Sequence, residues 1–170
     1  MKVLGIDPSV RATGFGIISQ EEKTLKVLDY GVIKPSRKQL FHHKINTIRS
    51  AIEELIIAHQ PDEVVIENPF YAQNIKTALT LGQVRGAALV AVASQNRPLF
   101  EYSPLEIKKA VTGYGQADKF QVQTMIKNLL NINDHSISLD ATDALAAAYC
   151  HLNNRTFQEK IKESQNHKIS

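Results

Sequence analysis

Val3-Leu4-Gly5-Ile6-Asp7-Pro8-Ser9 opens the chain with a short apolar run that stops on an acid. Two of its apolar residues are β-branched, so the segment reads as a buried strand, and Pro8 and Ser9 end it. Arg11-Ala12-Thr13-Gly14-Phe15-Gly16-Ile17-Ile18 follows closely enough to fold back as a hairpin partner. A carboxylate at the exit of a central strand is costly to bury unless something positive faces it. That charge must come from elsewhere in the chain, or from a metal ion.

The same pattern returns at Asp62-Glu63-Val64-Val65-Ile66-Glu67, a β-branched run that ends on an acid before Asn68-Pro69. Between the two runs, Phe41, Ile45, Ile48, Ile52, Leu55 and Ile56 recur at helical spacing, with His42, Lys44, Arg49, Glu53 and Glu54 outside the stripe. A helix between two strands favours parallel neighbours joined by a crossover. Asp7 and Glu67 would then lie side by side at the carboxyl edge of the sheet, where open α/β sheets place their sites. His42 and His43 do not share a helical face and read as a solvated helix start rather than a metal site.

Working outward, residues 25–33 read as a third strand after the polar hairpin loop Glu21-Glu22-Lys23. A helix is predicted over 74–95, with Gly82 and Gly86 flanked by alanines. That bare face suits close packing against the sheet, or against a second subunit; the first is the preferred reading. Leu99 to Tyr102 is a fifth strand, and Ser103-Pro104 caps and opens a short helix. Asp118 and Gln121 form a variant capping box for a helix carrying Val122, Met125, Ile126 and Leu129. The last helix begins near Asp140. The expected fold is α/β, with a five-stranded mixed sheet (three antiparallel strands, two parallel) flanked by helices. Residues 1–152 form one domain, and the polar segment 153–170 is expected to be a disordered tail.

The totals agree with one domain. The chain has 170 residues, 43% hydrophobic and 22% charged, ordinary for a soluble globular protein. No run was expected to reach the ~20 apolar residues of a membrane span, so no membrane association is expected. No export signal is evident, and a single cysteine, Cys150, excludes an intrachain disulfide and fits a reducing cytoplasm. The net charge of +3 mildly favours a polyanionic partner.

Asp140 and Asp143 are three apart in a helical segment and share a face. As a bland alternative, Asp140 caps the helix and Asp143 is a solvated first-turn acid favoured by the helix dipole. The flanking alanines and leucine instead bury the helix and put both acids at its junction with the sheet. With Asp7 and Glu67, four carboxylates then converge, which requires raised pKa values or bound cations. Oxygen-only ligation selects a hard cation, Mg²⁺ or Mn²⁺. Two such ions about 3.5–4 Å apart suit phosphodiester hydrolysis.

The chain resembles the RuvC family of crossover (Holliday) junction endodeoxyribonucleases, which have a ribonuclease-H-like fold. The resemblance is carried in order by Leu4-Gly-Ile-Asp7-Pro8, Thr13-Gly-Phe-Gly16, Ile66-Glu67, Ala78-Leu-Thr-Leu-Gly-Gln-Val-Arg85-Gly86, Gly113-Tyr-Gly-Gln-Ala-Asp-Lys119-Phe-Gln-Val122 and Asp140-Ala-Thr-Asp143-Ala-Leu-Ala146. It implies that Asp7, Glu67, Asp140 and Asp143 are catalytic, metal-binding acids, holding two Mg²⁺ per subunit for which Mn²⁺ substitutes. It also implies that Lys108 and Lys119 lie near the scissile phosphate and that Phe70 packs on bases. The implied activity is paired nicking of four-way DNA junctions by a homodimer in the bacterial cytoplasm, with RuvA and RuvB as branch-migration partners. Ser9 and Asn68-Pro69 depart from the family's usual residues, without removing an acid. An actin-like ATPase, whose first strand also runs Gly-Ile-Asp, needs two such domains, and this chain has room for one. A junction-binding module without catalysis is the remaining competitor.

Overall fold

The computed structural model describes the backbone of residues 1–68 and 74–166, with side chains described through residue 156. Strand β1 (Lys2–Asp7) is central. It pairs antiparallel with β2 (Thr13–Glu21), which pairs antiparallel with β3 (Thr24–Ile33). On its other side β1 pairs in parallel with β4 (Glu63–Glu67), which pairs in parallel with β5 (Leu99–Tyr102). The order is β3-β2-β1-β4-β5, the mixed five-stranded sheet expected from the sequence.

Helices cover both faces, and each layer has its own core. Leu4, Ile6, Ile17, Val64 and Ile66 pack against α1 (Phe41–His59) and α2 (Ile75–Ser94), which supply Ile48, Ile52, Ile56, Val84, Ala88 and Ala91. Val3, Ile18 and Val65 face the other way, against α3 (Pro104–Thr112), α4 (Lys119–Leu129) and α5 (Leu139–Asn166). The period of two along β1 and β4 therefore assigns alternate residues to opposite layers. Asp7 and Glu67 continue the alternation on the side of α3, α4 and α5.

The local signals work as their chemistry requires. Ser103 and Glu106 form a full capping box with Pro104 in the first turn of α3, and Asp118 and Gln121 form another on α4. Gln60 ends α1 in the left-handed conformation, its N–H donating to the Ile56 carbonyl just before Pro61.

Three expectations are corrected. First, Gly82 and Gly86 do not pack inside the domain: a Cβ on either would meet nothing within 4 Å. The helix turns Val84, Ala88, Ala91 and Val92 to α1 and the sheet, and leaves Ile75, Leu79 and Val90 exposed. Second, α2 is long and apolar enough by composition to cross a membrane, although no such run was expected. Only 22% of that apolar window is buried in the domain, by the residues that face α1 and the sheet. Third, the last helix runs on past residue 153, and α5 continues to Asn166. Gln158, Glu159, Lys160, Lys162 and Glu163 are good helix formers, and no glycine or proline interrupts them.

Candidate active site

Parallel pairing fixes the first two acids. Ile6 lies opposite Ile66, so Asp7 and Glu67 leave neighbouring strands at the same edge, with backbones about 4.8 Å apart. The third element, α5, reaches them because the sheet has no side chains where the helix crosses. A Cβ on Gly5 would collide with the Ala144 carbonyl, and one on Gly14 with the Asp140 carbonyl. Backbone therefore rests on backbone, and the first turn of α5 is pressed against the exit of β1 and the start of β2. This places Asp140 and Asp143 at the edge where Asp7 ends.

Asp7, Glu67 and Asp143 line one pocket of about 270 Å³, together with Lys108, Lys119, Pro104, Ile107 and Val122. Three carboxylates from β1, β4 and α5 thus meet two ammonium groups from α3 and α4. The Lys119 ammonium donates to Asp143 Oδ2 at 3.2 Å. Burial, reinforced by Glu67 and Asp143, pushes the Asp7 carboxyl up to about 8. Burial and Asp143 push Glu67 up to about 7, against the opposing pull of Lys119 and Lys108. Burial also raises Asp143, while Asp143 in turn holds the Lys119 ammonium above its ordinary value.

Asp140 is placed differently from the other three. It does not line the pocket, but it is close enough for its charge to raise Asp7 and Asp143. Nor does it cap the helix: the Ser138 hydroxyl does so, accepting from the Ala141 N–H at 3.2 Å. Phe70 and Tyr71 lie outside the described residues. Arg85 is held by Glu101 of β5, which also accepts from the Asn68 side chain at 3.3 Å. That ion pair accounts for Arg85 as a clamp between α2 and the sheet.

A divalent ion suits this donor set. The oxygens are hard, and burial together with the neighbouring carboxylates holds the Asp7 and Glu67 carboxyls well above their ordinary values, a crowding that a bound cation relieves. Among the described residues, no three Asp, Glu, His or Cys groups are gathered tightly enough to hold an ion. The Lys119 ammonium is the counter-charge to Asp143.

A profile of the family described as crossover junction endodeoxyribonuclease RuvC matches residues 3–151. The chain belongs to the RuvC family. The RuvC of Alkaliphilus oremlandii is 43% identical over 162 residues, covering 95% of this chain and 99% of that relative. The structure of Thermus thermophilus RuvC in complex with Holliday junction substrate matches with a TM-score of 0.86 at 27% identity, over 93% of this chain and 96% of that one. The yeast mitochondrial Holliday junction resolvase Ydc2, at 15% identity and a TM-score of 0.66, covers 97% of this chain and 83% of its own and shares the fold.

Within this RuvC chain, two positioning features were not read from the sequence. Buried Thr13 donates its hydroxyl hydrogen to the Ser9 carbonyl at 2.6 Å and accepts from the Ser9 N–H at 3.1 Å. It closes the turn directly after Asp7, so the departure at Ser9 is absorbed by backbone bonds. The other feature is the contact of Gly5 and Gly14 with α5. The spacing Gly5, Gly14, Gly16 was visible, but its meaning depends on which helix lies across it.

Proposed function

We propose that this chain is a divalent-metal-dependent endonuclease that resolves four-way DNA junctions by nicking two opposed strands, in recombination and repair. The observation that carries the reading is the meeting of Asp7, Glu67 and Asp143, from three separate segments, with Lys108 and Lys119 in one pocket at the sheet edge. Membership of the RuvC family supplies the substrate class.

Asp7, Glu67 and Asp143 would hold the metal, Mg²⁺ with Mn²⁺ as a substitute, with Asp140 joining from the same helix. Two ions per subunit suit four acids, and when bound they supply an activated water and stabilise charge on the leaving oxygen. Asp7 and Glu67 must release their protons for this, so nicking falls in acid. Lys119 and Lys108 face the phosphate from α4 and α3 and neutralise charge developing on its oxygens. Phe70, following β4, stacks on a base at the branch point, a contact worth about 1–3 kcal/mol.

Two cuts on one junction call for two sites, and we assign them to a homodimer. Ile75, Leu79, Gly82, Gly86 and Val90 recur on one stripe of α2, whose large apolar side chains are exposed. Leu79→Glu should shift sedimentation from dimer to monomer. RuvA and RuvB are the branch-migration partners, in the bacterial cytoplasm.

The direct test is cleavage of a synthetic four-way junction, a linear duplex and an RNA–DNA hybrid, with and without Mg²⁺. Preferential nicking of the junction that stops on chelation is expected. Equal cleavage of all three, or nicking that survives chelation, would refute the reading.

A further inference from the structure

The same sheet edge carries a second cleft, on the far side of the β1–β2 turn from the acids. It measures about 900 Å³ and is lined by Arg11, Lys34, Arg37 and Lys44, with Phe41 and Thr80. Among the described residues, no carboxylate lines it. Several cations elsewhere face a carboxylate: Arg49 faces Glu53, Arg85 faces Glu101, Lys119 faces Asp143 and Arg155 faces Glu63. Among the described residues, the side chains of Arg11, Lys34, Arg37 and Lys44 make no ion pair and no hydrogen bond.

Four like charges held around one hollow repel one another, and no described carboxylate offsets the cost. The chain brings them together from three places: the turn after β1, the exit of β3, and the first turn of α1. Pairing of Thr13 with Ile33 sets Ala12 beside Lys34, so the turn and the exit are fixed by the sheet rather than by mobile loops. The start of α1 adds to the effect. Its N-cap is Leu40, which offers no side-chain acceptor, and no acid lies in the first turn. By contrast, Asn74, Ser103 and Asp118 cap α2, α3 and α4 with side-chain oxygens. Free N–H groups at a helix start favour an anion.

We propose that this cleft binds the phosphate backbone of a DNA arm adjacent to the cut. The proposal rests on the junction-nuclease reading above and adds a second phosphate-binding site to it. The geometry is suitable: Arg11 is four residues beyond Asp7, so the two positions lie within ~14 Å of each other at full extension. Duplex DNA carries a charge every ~1.7 Å along its axis, so an arm leaving the acids presents several phosphates over that span. The acids and this cleft lie on opposite sides of one turn, and a strand lying across the turn would touch both. The cleft therefore sets how an arm leaves the site, while the acids and Lys119 act at the phosphate that is cut.

The test compares two double variants that remove the same charge. Arg37→Ala/Lys44→Ala empties part of the cleft. Lys23→Ala/Lys26→Ala removes two exposed lysines from the β2–β3 hairpin at the opposite end of the sheet. Junction affinity is measured without divalent cation across a series of salt concentrations. The cleft variant should bind the junction about tenfold more weakly at 0.1 M salt, and its logarithmic salt slope should fall by about one for each cation removed. Arg37→Lys/Lys44→Arg should restore the slope. The hairpin variant should match the parent. A cleft variant that keeps the parental slope overturns the proposal, as does a hairpin variant with an equal loss. If the parent nicks junctions normally while the cleft variant keeps its slope, only the cleft assignment fails. If the parent does not bind junctions at all, both readings fail.

Discussion

Two glycine pairs in this molecule do opposite things. Gly5 and Gly14, on β1 and β2, lie directly under the backbone of α5, and no side chain fits between them. Gly82 and Gly86, on α2, face open space in the subunit. The small-residue stripe of α2 looked in sequence like the packing surface, yet the close approach occurs at isolated strand glycines. A stripe of small residues states that approach is possible. Only the partner across from it decides whether approach happens.

The sharpest way to break this comparison is Gly14→Ala. The added carbon would run into the Asp140 carbonyl, backbone against backbone, so neither side can yield by changing rotamer. A destabilisation of at least ~3 kcal/mol is expected, at the upper end of overpacking costs. Denaturant unfolding would measure it. Wild-type stability in this variant would mean that α5 does not rest on the sheet as described.

Next in size is the chemistry that the contact positions. Residues that merely orient a metal ligand cost about 10–100-fold when lost, and Asp7→Asn should exceed that in single-turnover nicking while retaining junction binding. Retained nicking would remove Asp7 from the acid set.

A smaller effect concerns pH. Asp7 at about 8 and Glu67 at about 7 lie above their ordinary values of 3.8 and 4.5. In the metal-free protein the folded state therefore binds more protons than the unfolded state between about pH 4 and pH 8. Stability from these groups is present in full below that window and is lost as the pH rises through it. Thermal melts should show a higher midpoint at pH 5 than at pH 8, with Asp7→Asn flattening the difference. Mg²⁺ should raise the midpoint most at pH 8. A metal-free midpoint that rises with pH across this range would contradict the crowding of the carboxyls.

The smallest expected change is Gly82→Ala. Alanine in an exposed helix interior is favoured by up to ~1 kcal/mol, so the variant should melt slightly higher as a monomer. A loss of stability would show that something covers this face and would sharpen the dimer assignment.

Much of the architecture was legible. The period of two in β1 and β4, each ending on an acid, gave parallel neighbours, and the intervening stripe of α1 gave the crossover. Ser103 and Asp118 announced their helices by side-chain chemistry that works locally. What could not be read was contact between distant segments. That Gly14 meets Asp140, that Arg85 is clamped by Glu101, and that Asp140 stands outside the pocket all depend on how α5 and α2 lie across the sheet. The end of α5 was misplaced for a related reason: loss of apolar residues was taken as loss of helix, although helix propensity persists without a core to cover.

The first strand and the last helix both contribute to the pocket, and that has a consequence for biosynthesis. Asp143 follows Asp7 by 136 residues, so a chain emerging from the ribosome offers the two acids far apart in time. Long-range closure of this kind is slow compared with local helix formation, and domains complete themselves as units. A product stalled before Asp143 thus has a half-built pocket.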